Sequence, residues 1–172
     1  GLNEMKYLPL GSSALKVSRV CLGSMTWGLQ NNQQEANEQI DYALRKNINF
    51  IDTAEMYAVP PTEQTYGKTE SIIGNWLAAN PSKRKEIVLA SKIAGPGLSY
   101  IREGSNISGK TVKEAIDASL TRLQTDYIDL YQLHWPNRTS PHFGKHWPNN
   151  EGFLSVDSRE DLQSSVAQTE QM

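Results

Sequence analysis

The sequence predicts an α/β fold built on a parallel sheet. Short apolar runs that read as strands alternate with longer amphipathic runs that read as helices. The run Ile87-Val88-Leu89-Ala90-Ser91-Lys92 is apolar with no polar alternation, the pattern of a strand covered on both faces. Polar residues capable of chemistry stand where successive strands stop, which in parallel α/β folds is the functional end.

The elements follow in order. Tyr7-Leu8-Pro9-Leu10 and Leu15-Lys16-Val17 flank a Gly/Ser turn and predict a small hairpin. Val20-Cys21-Leu22-Gly23 is a first buried strand. Gln34 to Lys46 places Ala36, Ile40, Ala43 and Leu44 on one helical face. Ile48 to Asp52 is the second strand, and after a Pro-rich loop Thr69 to Leu77 is the second helix. Ile87 to Lys92 is the third strand, followed by a Gly- and Ser-rich loop from Ala94 to Gly109. Thr111 to Leu123 is the third helix, with Val112, Ala115, Ile116, Ser119, Leu120 and Leu123 on its inner side. Tyr127 to Leu133 is the fourth strand. Crossovers between parallel strands wind right-handed. No Gly-x-Gly-x-x-Gly follows the first strand, which counts against a Rossmann sheet and leaves flavodoxin-like and barrel arrangements open.

Composition narrows the function classes. The 172 residues suffice for a domain with a core, and the formal net charge is −2. No basic face is present to drive nucleic-acid binding. Lys83-Arg84-Lys85 reads as a solvated helix-to-strand turn. No run reaches the ~20 apolar residues that cross a bilayer, and no signal core stands at the N-terminus. The single cysteine, Cys21, reads as a small core residue in a cytoplasmic, reducing setting. His142 and His146 have metal-like spacing, but Pro141, Gly144 and Pro148 argue against the helix that would align them, so no metal site is expected. Trp135, Phe143 and Trp147 are expected to pack this loop or wall a substrate pocket.

Four residues make a chemical unit. Asp52, Lys92 and His134 end the second, third and fourth strands, and Tyr57 lies in the loop just above Asp52. Neighbouring strands lie ~4.8 Å apart, so these side chains can meet. A free phenol has a pKa of about 10 and is a reluctant proton donor. An adjacent ammonium is expected to lower that value, with Asp52 holding Lys92 in place. His134 can hydrogen-bond a substrate carbonyl while Tyr57 donates a proton to its oxygen. Hydride must then come from a nicotinamide cofactor, since no side chain supplies it.

At these residues the chain resembles the N-terminal half of an aldo-keto reductase. The resemblance rests on Leu22-Gly23-Ser24-Met25-Thr26, on Phe50-Ile51-Asp52-Thr53-Ala54-Glu55-Met56-Tyr57, on Gly67 to Gly74, on Leu89 to Lys92 and on Ser119 to Pro136. It implies that Asp52, Tyr57, Lys92 and His134 form the catalytic tetrad. It also implies that Gly23, Ser24, Met25 and Gln30 line the cofactor site, with Asp52 contributing. The implied cofactor is NADPH and the implied reaction reduces a small aldehyde or ketone to an alcohol. The long loop between Tyr57 and Gly67 looks like that of a bacterial subgroup. The family also includes cofactor-sensing subunits that bind channels, so a regulatory module is the alternative.

The implied fold is the first half of a (β/α)8 TIM barrel, four parallel strands with helices preceded by an N-terminal β-hairpin. On this reading residues 1–172 are half of one domain: a hairpin at 5–17, four strand–helix units at 20–136, a loop at 137–160 and the start of the fourth barrel helix at 161–172. Half a barrel has two unpaired strand edges and an uncovered sheet face. The chain is therefore expected to need its missing C-terminal half, or self-association, for stability and to be inactive alone.

Overall fold

The computed structural model describes residues 7–9, 16–137 and 153–155. Strands β1 (Tyr7–Pro9) and β2 (Lys16–Ser18) form the antiparallel hairpin. Strands β3 (Cys21–Gly23), β4 (Phe50–Asp52), β5 (Val88–Ile93) and β6 (Leu130–Leu133) are parallel neighbours in that order. Helices α1 (Gln33–Arg45), α2 (Lys68–Ala79) and α3 (Gly109–Leu123) make the crossovers.

Local sequence explains the helix boundaries. Asn32 and Ser108 close capping boxes with Glu35 and Thr111, satisfying amides that helix starts leave unpaired. Gly67, the residue just before α2, has φ of 79°, a conformation that a side chain disfavours. In the middle of α2, a Cβ on Gly74 would overlap the backbone of Arg122 and Leu123, so this glycine lets α2 and α3 approach closely.

Register separates the two sheet faces. Gly23, Asp52, Ala90 and Leu130 lie in line across the sheet, as do Leu22, Ile51, Leu89 and, one rung on, Ser91 beside Tyr131. Ile51, Leu89, Ile93, Tyr131 and Leu133 belong to the core with Ile40, Ile73, Trp76, Val112, Ile116 and Leu123 of the helices. The opposite face carries Asp52 and Lys92. Alternation along each strand thus sends one set of side chains to the helices and the other to the barrel side.

Several expectations are corrected. The segment 137–160, read as loop, contains a strand, β7 (Phe153–Ser155), which pairs antiparallel with Leu130–Gln132 of β6. That edge of the sheet is therefore not bare, and its backbone groups gain partners. The helix expected from 161 lies outside the described residues. Cys21 is exposed rather than part of the core, because alternation puts it with Gly23 on the face that carries Asp52, while Leu22 between them packs against the core. Arg84 is not solvated. It is buried in a short 3-10 helix at Pro81–Glu86 and binds Thr125, Tyr127 and Asp129. The fourth strand starts at Leu130 rather than Tyr127, because side chains take over its first contacts. Arg84 occupies the Tyr127 carbonyl, and the Asp129 carboxylate accepts the Leu89 amide.

Candidate active site

The ladder between β4 and β5 runs past the last residue of β4. Thr53 donates its amide to Ala90 and Glu55 donates to Lys92, while His134 donates to Ile93 one strand over. These backbone bonds bring the ends of three adjacent strands to one rim, and a turn closed by Tyr57 N–H on Ala54 carries the phenol above it.

Lys92 Nζ donates to both Asp52 oxygens, at 2.9 and 3.0 Å, and to the Thr53 carbonyl at 2.8 Å. Those three contacts match the three protons of an ammonium. None is left for Tyr57, and Lys92 Nζ instead stands 5.2 Å from the centre of the Tyr57 ring. The ring of His134 meets the Tyr57 ring edge-on, with centroids 5.7 Å apart. The structure therefore brings all four expected tetrad residues together.

The electrostatics differ from expectation in one respect. The Tyr57 phenol lies above its ordinary value, not below it. Burial is the main cause, and Asp52 and Cys21 add to it. Lys92 is already committed to a carboxylate, whose charge offsets its own at the phenol. His134 is pushed down to about 4 by burial and by Lys92, with Glu55 pulling the other way. Its imidazole is thus neutral near pH 7, and its Nδ1 is buried without a hydrogen-bond partner. Although its side chain is exposed, Cys21 lies among crowded neighbours whose desolvation, ahead of the Asp52 charge, pushes its thiol up to about 11, so it stays protonated.

The residues expected around a cofactor divide into two groups. Gly23 pairs in register with Asp52, and a Cβ built on it would meet nothing within 4 Å, so space is open there. Met25 is exposed and its carbonyl accepts the Val59 amide, which places it at the rim beside the Tyr57 loop. Ser24 is buried, and its hydroxyl donates to the Asp52 carbonyl at 2.6 Å, a contact that fixes the loop. Gln30 is exposed in a tight turn where its amide donates to the Thr26 carbonyl.

Sequence reasoning missed Thr53 and Glu55. Thr53 supplies the carbonyl that holds Lys92. Glu55 is buried and bound by Arg102, 47 residues away, a pairing that no local spacing announces. Trp135 packs on Gly95, where a Cβ would overlap its ring, and donates Nε1–H to the Pro96 carbonyl at 2.9 Å. Its ring centre is 5.3 Å from that of His134, which places it as a wall of the site. Among the described residues, no group of three or more His, Cys, Asp or Glu is placed to hold a metal, and no helix is long and apolar enough to cross a membrane.

A parallel α/β half-barrel with this strand-end cluster defines a class, and comparison with known proteins gives the family. The chain belongs to the aldo/keto reductase family, whose sequence profile matches residues 19–169. It is 48% identical over 144 residues to Protein tas of Escherichia coli (strain K12), covering 82% of this chain and 41% of that protein. It is 40% identical over 141 residues to the uncharacterized oxidoreductase YrpG of Bacillus subtilis (strain 168), covering 80% and 42%. A probable voltage-gated potassium channel subunit beta of Arabidopsis thaliana is 34% identical over 140 residues, covering 80% and 39%. Among solved structures, the holo form of aldo-keto reductase AKR11C1 from Bacillus halodurans matches with a TM-score of 0.60 and 37% identity, covering 75% of this chain and 40% of that one. The chain thus spans about two fifths of the length of the relatives it matches.

Proposed function

We propose that this chain supplies the catalytic half of an NADPH-dependent oxidoreductase that reduces aldehyde or ketone carbonyls to alcohols. The carrying observation is the cluster itself: the ammonium of Lys92 locked on Asp52, a phenol above it, and a neutral imidazole against that phenol's edge. Residues 1–172 are read as the N-terminal half of one cytoplasmic barrel domain. The chain then needs the C-terminal half or a second copy to cover its barrel face, and is inactive without it.

The open space beside Gly23 and the exposed rim at Met25 fit a planar cofactor ring next to Asp52. Gly23, Ser24, Met25, Gln30 and Asp52 would hold NADPH, which supplies hydride when bound. The chain's own residues handle the oxygen. The low pKa of His134 keeps it neutral, and its buried Nδ1 leaves Nε2 as the nitrogen that presents a proton to a carbonyl oxygen. Such a donor orients the carbonyl before charge develops. The raised pKa of Tyr57 keeps its proton in place across the neutral range, so the phenol is always loaded to donate. As the oxygen becomes an alkoxide, far more basic than a phenolate, the proton crosses. Lys92 then faces the newly formed phenolate and stabilises it.

The test uses the complete barrel that carries this chain. Tyr57→Phe should lower turnover of a small aldehyde by ~10²–10⁴-fold while NADPH still quenches protein fluorescence with parental affinity. Parental turnover in that variant would remove the proton-donor role. A second reading, a cofactor-sensing regulatory subunit, draws support from the plant relative described as a channel subunit. NADPH binding with negligible reduction across a broad aldehyde panel would favour it.

A further inference from the structure

We infer that Glu55, clamped by Arg102, is the positioning residue that sets Tyr57 against Lys92; the inference rests on the reductase reading above. Glu55 lies between Asp52 and Tyr57 in sequence and is only 2% exposed. Its backbone amide donates to the Lys92 carbonyl at 3.0 Å, and its carbonyl accepts the Gly67 amide at 2.8 Å. Its Oε1 accepts the Ala94 amide at 3.1 Å. One residue therefore grips the chain at the Lys92 carbonyl and again at Ala94, on either side of Ile93, and also fixes the start of α2.

Arg102 completes the grip. Its guanidinium meets the Glu55 carboxylate in a bidentate pair, Nη1 to Oε2 and Nη2 to Oε1, both at 2.7 Å, and it reaches the Ala94 carbonyl at 3.3 Å. Paired planar forks of this kind fix orientation as well as energy. Arg102, Glu103 and Gly104 have φ of 48°, 58° and 72°. Two of the three carry side chains in a conformation that costs them free energy. The loop after β5 holds that unfavourable turn while its arginine is turned back onto Glu55. The loop 95–108 is thus tied to the segment bearing the proton donor, and neither Glu55 nor Arg102 is needed to touch substrate.

Such a residue should act on turnover rather than on cofactor binding. A shift of about 1 Å in a reacting group can cost ~10²-fold in rate. In the complete barrel, Glu55→Gln and Arg102→Met should each lower kcat by roughly that factor, with NADPH affinity measured by fluorescence titration unchanged. Arg102→Lys, which keeps a charge on Glu55 but not the fork, should recover part of the loss. Rates are expressed per NADPH-binding site, so that unfolded protein does not count. If Glu55→Gln does not fold, Arg102→Lys decides alone: reduced kcat with kept NADPH affinity supports the assignment. Parental kcat per site in these variants, with only a lower melting temperature, would make the pair purely structural and overturn it. Tyr57→Phe measured alongside separates the two ideas. If that variant loses turnover while Glu55→Gln does not, only the positioning role falls; if Tyr57→Phe keeps turnover, the reductase reading falls and takes this inference with it.

Discussion

Two ion pairs on opposite faces of the same sheet show how location changes what a charge does. Lys92–Asp52 lies on the barrel side, with side chains 13% and 31% exposed. Arg122–Glu70 lies on the helix side, where the Glu70 side chain is fully buried and Arg122 is 21% exposed. Glu70 has every partner it needs: Arg122 Nε and NH2 on one oxygen and the Ser91 hydroxyl on the other. It joins α2, α3 and β5 into one block. The Lys92 pair is equally well bonded but stands open to an aromatic ring and to the space above it. One pair is finished by the fold, and the other is left partly open.

That contrast can be broken from either end. The largest expected effect is on stability from the helix side. Glu70→Ala should destabilise the fold by about 3–5 kcal/mol, since it strands a guanidinium and a hydroxyl in a mostly buried site, and the urea midpoint reports it. Folded protein of that variant should keep the parental rate per NADPH site. From the barrel side, Lys92→Met should lower turnover by ~10²–10³-fold, because the phenolate formed from Tyr57 loses its nearest cation, while the urea midpoint moves far less than in Glu70→Ala. Equal stability losses in the two variants would dissolve the distinction.

A finer test uses pH. The folded value for His134, about 4, lies below the ordinary 6.5. The unfolded chain therefore binds the proton first as pH falls. Stability contributed by the neutral ring is present above about pH 6.5 and is lost as pH drops toward 4. The slope from this one residue is at most about 1.4 kcal/mol per pH unit. Denaturation midpoints at pH 7 and pH 5 should differ less in His134→Gln than in the parent.

Much of this site was legible because it depends on periodicity. Strand spacing placed Asp52, Lys92 and His134 at one rim, and apolar spacing placed the helix faces. The parts that were not legible depend on partners far apart in sequence. Arg84 in a basic triplet reads as solvated until Asp129 arrives 45 residues later. Glu55 gives no local sign of Arg102. Spacing alone treats Lys92 as a free charge and so predicts a lowered Tyr57 value, whereas in the fold the ammonium is bound to Asp52 and Thr53. Strand β7 was missed because the stretch around it is rich in Pro and Asn, and only the exposed edge of β6 gives it a reason to form.

The contact between Gly95 and Trp135 carries one more implication. A position with no side chain sets where an indole stands, 40 residues downstream and directly beside the imidazole. Enlarging the first would push the second toward the imidazole. The space beside that imidazole is therefore shaped partly by a residue with no side chain of its own, and the two positions would have to change in step for that space to be recut.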